Sequence, residues 1–432
     1  MSESMLTRDS KLILAWLLLN SVPFGYMNVV PLVYLVDIGY DPSVVGAIYA
    51  VGAIANTVAL IPFGLLADKY GRKKFLIIGG FLPFVSYLIF ALTLNSYLLI
   101  IASAIGGVGL AGGLAVAIQS PALLPLLANA TTDKNRTSLF GITQGVWVLA
   151  LTIGALLSFL PDALSKSLGQ SIVVTHYESY FLMAVLVAIS TVPALFVSES
   201  KKVVVSRSAG QAEPAVLQRR TMLARIQSAR KSIPIVSGMA IAKFSLVYAL
   251  AGLGLGAVVQ LVPTWYNLKY GVGESTVGLW IAAAEFISII GLPLIPRLVR
   301  RRGTLMTTVV PGLVSCAVLS IMPFSPWFEL AALIYVSRNI LVTISWPVLQ
   351  SYVLGVVSEK ERATTIAVTS TAYGVTTSIG TFVGGALLGV GLLSMPFAIG
   401  IAGYVSSYVV LFLFFRKVKP PEELGVSVQE VV

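Results

Sequence analysis

Of 432 residues, 57% are hydrophobic and only 11% are charged, and the mean hydropathy is +0.90. Soluble domains carry about 25% charged residues, so this composition excludes an ordinary soluble domain and places most of the chain in or against lipid. A single cysteine, Cys316, excludes a disulfide framework or a thiolate metal cluster, and the net charge of +11 has to be read from its placement.

In chain order, twelve apolar runs have spanning length: 12–36, 42–66, 75–94, 97–127, 139–160 and 178–198, then 235–265, 275–299, 304–324, 327–356, 364–391 and 393–415. The runs at 97–127 and 327–356 are long enough to tilt or project beyond the bilayer. No small-residue cleavage site follows the first run, so no cleavable signal peptide is expected. The one histidine, His176, falls in a polar stretch that reads as a loop.

The basic residues take one side. Arg8 and Lys11 precede the first run; Lys69, Arg72, Lys73 and Lys74 follow the second; Lys134 and Arg136 follow the fourth. The same side takes the basic segment after Ser198, Arg297 to Arg302, Lys360, Arg362, and Arg416 to Lys419; the opposite loops hold only Lys166 and Lys269. The positive-inside rule puts both termini in the cytoplasm. The charge is therefore a topogenic bias, and no nucleic-acid partner is expected.

Residues 1–198 form a first half, and 233–416 a second, with a cytoplasmic tail at 417–432. The polar, basic stretch 199–232 reads as a linker with a short amphipathic helix around 216–230. An internal repeat supports the division. At an offset of 232, Pro31, Tyr34, Gly39, Ser43 and Gly46 match Pro263, Tyr266, Gly271, Ser275 and Gly278. At an offset of 226, Pro121, Arg136, Thr143 and Gly154 match Pro347, Arg362, Thr369 and Gly380.

Between the second and third runs lies GLLADKYGRKK, from Gly64 to Lys74. Gly64, Asp68, Gly71, Arg72 and Lys73 fall where the loop signature of the major facilitator superfamily has its glycines, aspartate and basic pair, and the string resembles that signature closely. The resemblance, with the repeat, extends over nearly the whole chain. It implies an all-α membrane protein of twelve transmembrane helices in two pseudo-symmetric six-helix bundles, working by alternating access. It also implies that Asp68 latches the cytoplasmic side against the start of the eleventh helix, with Arg136 and Arg362 nearby. The plainer alternative is that Asp68 and Arg72 only shape the turn. The matching loop of the second half, PRLVRRRG, ends on Gly303 but has Arg300 in place of the aspartate.

Charges inside the runs are few and costly, about 2.5–3.5 kcal/mol each at a helix centre. Glu285 stands eleven residues past Glu274, and Arg338 eleven past Trp327, each about 15 Å deep at the helical rise. One reading makes them a structural pair that stiffens the second bundle. The other makes Arg338 the anchor for a polar or anionic substrate and Glu285 the group that takes up a proton. Lys243 also looks deep, but its repeat partner Lys11 lies at the cytoplasmic edge.

Further lining candidates are Asn20 and Tyr34 on the first helix and Asn56 on the second. Gln144 and Trp147 on the fifth stand where Ser370 and Tyr373 stand on the eleventh, and Asn339 and Trp346 share the Arg338 stripe. A residue of this kind is more often a helix-packing hydrogen bond or interface aromatic than a ligand contact. The glycines from Gly106 to Gly113 permit close helix packing. Drug antiporters of the superfamily carry an arginine near such glycines, where this chain has Ser103, and a glycine-proline pair in the fifth helix, which this chain lacks.

The expectation is a secondary active transporter of a small organic solute, neutral or anionic, across the cytoplasmic membrane and coupled to protons. The alternative is efflux of cationic or amphipathic drugs. An intramembrane enzyme built on Asp37 and Asp41 lacks a second acidic motif, and a sensor would carry an appended soluble domain. No cofactor, metal or enzymatic activity is expected. The partners are the substrate, protons and membrane lipids, and the chain is expected to be a monomer.

Overall fold

Backbone in hydrocarbon must satisfy its own N–H and C=O groups, so apolar runs of this length fold as helices. The structure, a computed structural model, describes residues 6–108, 112–131, 136–198, 238–357 and 361–418, with the side chains at 68, 136–138 and 363 outside that set. The linker 199–232 with its amphipathic stretch, and the tail beyond 418, lie outside the described residues.

The first half runs α1 (Arg8–Met27), α2 (Val30–Asp37), α3 (Pro42–Tyr70), α4 (Arg72–Leu92), α5 (Ser96–Gly106), α6 (Leu114–Asn129), α7 (Arg136–Leu156), α8 (Leu160–Leu168) and α9 (Ile172–Leu195). The second runs α10 (Gly238–Ala257), α11 (Val262–Tyr270), α12 (Glu274–Ser288), α13 (Ile295–Ile321), α14 (Phe328–Val356), α15 (Arg362–Gly389) and α16 (Met395–Phe415). Among the described residues there is no strand. Among the described residues, nine segments are long and apolar enough to cross a membrane, one of them 51 residues from Glu274 to Phe324. At the helical rise that segment would extend about 75 Å, over twice the hydrocarbon thickness, so it must pass twice. Gly303, at φ 76° and ψ 167°, divides it. With the shorter apolar helices α5 and α6 counted as one pass and the Thr-rich α15 as another, the described segments are consistent with twelve passes.

Local chemistry sets the turns. Asp41 caps α3, accepting from the Ser43 N–H at 2.7 Å, and Pro42 takes the first helical position. Gly71 alone separates α3 from α4 and has φ 101°, a conformation open to glycine. Gly303, its repeat partner, takes the same left-handed φ. The backbone thus repeats what the sequence offset of 232 predicts.

The fourth run departs from expectation. It is two short helices, α5 and α6, because Gly107 (φ 78°) and Gly112 (φ 64°) leave helical geometry between them. His176 departs as well: it sits buried in the first turns of α9, whose N-cap is Ser171.

Within the halves, α1 packs on α7 as α10 packs on α15; α3–α15 and α7–α12 join the halves. On α3, a Cβ added at Gly46 would stand 2.8 Å from Gly385 Cα and 2.9 Å from Thr381 O of α15. Thr57, further along α3, faces Gly374. The two helices therefore run antiparallel in contact, and the Asp41 end of one meets the Gly389 end of the other.

Candidate functional site

The first and last described residues mark one end of the molecule. Thr7 donates to Ala130 O at 2.6 Å, Asp9 accepts from Ser198 N, and Tyr352 donates to Val418 O at 2.9 Å. At the opposite, distal end, four polar contacts tie the halves together. Thr264 donates to Leu32 O at 2.7 Å, Asn267 to Asp37 at 2.7 Å, and Ser275 to Asp162; His176 Nε2 lies 2.8 Å from Glu274 Oε1. Tyr34, expected to line a substrate path, stacks on His176 instead, with ring centroids 3.5 Å apart and 11° between planes. Its place is in this distal contact. Outside the spanning segments, the Ser43 side chain and backbone N–H hold the Asp41 carboxyl below its ordinary range.

The second half holds the densest polar interior. Arg338 on α14 is 3% exposed, with its guanidinium 5.3 Å above the Tyr404 ring of α16. Tyr335, Tyr373 and Tyr408 also lie within electrostatic reach of it, and its buried Nε has no hydrogen-bond partner. Glu285 on α12 lies beside the Asn339 side chain, and Asn339 donates to Ala284 O at 3.2 Å. The two intramembrane charges are neighbours, yet among the described residues they form no direct ion pair. Tyr404 lies over the guanidinium on one side, while Asn339, one residue on, is beside the carboxylate. Beside them, Trp346 packs on Tyr248 at 5.4 Å and on Tyr373 at 5.2 Å, joining α10, α14 and α15.

The first half offers a smaller polar centre. A cavity of about 10 Å³ lies among Asn20, Tyr87, Gln119 and Trp147, room for roughly one water. The Asn20 amide is already engaged, donating to Gly80 O at 3.0 Å and Ser190 Oγ at 3.2 Å. Trp147 packs against Phe24 at 5.7 Å. Gln144 is exposed on α7 and Asn56 is half-buried on α3. Gln119, whose buried Oε1 has no partner, was not picked out by sequence reasoning, although an amide alone in the apolar α6 was a visible signal.

Of the proposed gate, Gly64 and Gly71 are at the end of α3, and Arg72 and Lys73 open α4. The side chains of Asp68 and Arg136 lie outside the described residues, so the latch itself does too. Arg362 Nε donates to Leu354 O at 3.0 Å, tying the start of α15 to the end of α14. No group of three or more His, Cys, Asp or Glu that could hold a metal occurs among the described residues.

Twelve membrane passes in two repeated halves, meeting through α3–α15 and α7–α12 around buried polar interiors, define a membrane transporter fold. The chain belongs to the Major Facilitator Superfamily, whose family model matches residues 15–344 and 246–430. In overall structure it is similar to a mutant of the nucleoside transporter NupG, with a TM-score of 0.69 and 16% identity over 95% of this chain and 100% of that one. It is equally similar to a D-xylose–proton symporter: TM-score 0.69 and 14% identity, over 95% and 98% of the two chains. In sequence it is 30% identical to the inner membrane transport protein YajR of Escherichia coli (strain K12), over 28% of this chain and 26% of that protein. It is 31% identical to the class H tetracycline resistance protein of Pasteurella multocida, over 27% of each. The matches thus span about a quarter of these curated relatives.

Proposed function

We propose that this protein is a secondary active transporter that moves a small neutral or anionic organic solute across the cytoplasmic membrane by alternating access, coupled to protons. Both termini face the cytoplasm, so the distal end faces outward, and the chain works as a monomer without enzymatic chemistry. The observation that carries the substrate preference is Arg338: a buried guanidinium with an unpartnered Nε, ringed by tyrosines. An anionic or carbonyl group arriving there gains a charge-assisted bond of roughly 1.5–3 kcal/mol. Glu285, beside it, is the group that takes the proton. Neutralising that carboxylate removes its negative charge from beside the Arg338 site, so anion and proton bind together and travel the same way.

The test is uptake into proteoliposomes under an imposed pH gradient, with candidate solutes first found by thermal shift among organic acids, nucleosides, sugars and cationic drugs. Glu285→Gln is expected to keep exchange and lose uphill accumulation. Arg338→Lys is expected to weaken binding, since an ammonium lacks the planar fork. Unchanged pH-driven uptake in Glu285→Gln would remove Glu285 from coupling. Efflux of cationic compounds is the second reading, favoured by the partial match to a tetracycline resistance protein. A tight cationic ligand indifferent to Arg338 would establish it.

A further inference from the structure

The distal contact between the halves contains the one histidine of the chain, and its geometry sets a proton requirement. His176 is 1% exposed and Glu274 is 5% exposed. His176 Nδ1 lies 2.7 Å from Ile172 O. A carbonyl only accepts, so Nδ1 carries a hydrogen and donates it. In the neutral ring, Nε2 is then a lone-pair acceptor, and it stands 2.8 Å from Glu274 Oε1. Imidazole and ionised carboxylate at that distance set lone pair against lone pair. The contact is attractive only with one proton between them, on Nε2 or on the carboxyl oxygen.

We propose that His176 and Glu274 form a proton-binding site built across the two halves, whose single proton holds the distal side closed. His176 comes from α9 of the first half, and Glu274 is the first residue of α12 of the second. When the halves separate at this end, each side chain meets water and the proton is no longer shared between them. The neighbouring acids argue the same way, against the pull of the α12 N-terminus on an ionised Glu274. Asp37 at the end of α2 and Asp162 of α8 both add negative charge at Glu274. The hydroxyls of Tyr26, Tyr34 and Tyr180 surround it without adding a cation. Tyr34 stacks face to face on the imidazole, where an aromatic face favours the charged ring. Removing the proton leaves a buried carboxylate beside two acids and opposite a lone pair.

Wherever the separated side chains are both unprotonated, the closed form therefore binds one more proton than the open form. By linkage the closed-to-open ratio there falls as pH rises, by up to about tenfold per pH unit for one proton. The other distal contacts, Thr264–Leu32 and Asn267–Asp37, need no such proton. The site differs from Glu285 in place and role: its proton comes from the distal compartment and gates exposure. It rests on the alternating-access reading above, but its test needs no substrate.

The test places spin labels at the exposed Ser167 and Thr276, on opposite sides of the contact, in a Cys316→Ser background in lipid nanodiscs. Distances are measured by electron–electron double resonance between about pH 5.5 and 8.5. The expected result is a short-distance population that gives way to a longer one as pH rises. In Glu274→Gln the amide donates to Nε2 without an added proton, so the short population is expected to persist at every pH. His176→Gln, read the same way, covers the case in which Glu274→Gln folds poorly. A wild-type distribution that ignores pH would overturn the proposal. So would a pH response kept in both variants, which would assign the titration to Asp37 or Asp162. Loss of transport with the pH-dependent distances intact would count against the solute assignment and leave this site standing.

Discussion

Gly46→Ala tests the contact between α3 and α15 most directly. The added Cβ would stand 2.8 Å from Gly385 Cα and 2.9 Å from Thr381 O, with Gly385 N at 3.4 Å. Comfortable carbon contacts need about 3.5–4.0 Å, so the helices must part by roughly 1 Å at this level. The obstructing atoms are backbone, which no rotamer change can move aside. Overpacking of this kind costs about 1–3 kcal/mol. That cost falls on the form in which the distal ends meet and is relieved when they separate, so the closed-to-open ratio should drop about 5- to 150-fold. The assay is the same distal distance measurement at fixed pH, with Gly141→Ala as control. Gly141 lies inside α7 with no neighbour within 4 Å of an added Cβ, so there alanine should only improve helix propensity, by up to about 1 kcal/mol. A Gly46→Ala protein with the wild-type distance distribution would refute the claim that this glycine contact belongs to the closed form alone.

Asp68→Asn should impair transport while leaving folded yield in detergent nearly unchanged; normal transport would reduce Asp68 to a turn former. Asp41→Ala removes the α3 cap and should lower thermal stability by about 0.5–2 kcal/mol. Because hydrogen bonding to Ser43 lowers the Asp41 carboxyl, that stabilisation is present above the ordinary carboxylate range and lost as pH falls below it. Thermal scans at neutral and acidic pH should therefore show the wild-type and Asp41→Ala proteins converging in acid. Asn267→Leu, which deletes the bond to Asp37, should favour the distal-open form at every pH, as a shifted but parallel distance titration shows.

Much of the fold is written locally in the chain. Hydropathy marks the membrane class and the number of passes because burial in lipid is a property of each segment by itself. The repeat carries further: Gly71 and Gly303, and likewise Gly39 and Gly271, share positive φ across an offset of 232, since a left-handed turn residue leaves its mark at one position. The break between α5 and α6 was within reach too, because the glycines that permit packing also permit departure from the helix. What no local signal carries is the choice of partner. Burying Glu285 and Arg338 has a cost visible in the sequence, but only the packing of α12, α14 and α16 decided that Asn339 lies beside the carboxylate and Tyr404 under the guanidinium. Tyr34 fits a lining stripe by spacing, yet it serves the distal contact, because the register between the halves is set by glycines on α3 and α15. His176 and Glu274 lie 98 residues apart in different halves; each alone reads as a loop-edge polar residue, and they become a buried, proton-dependent pair only when the two bundles close on each other.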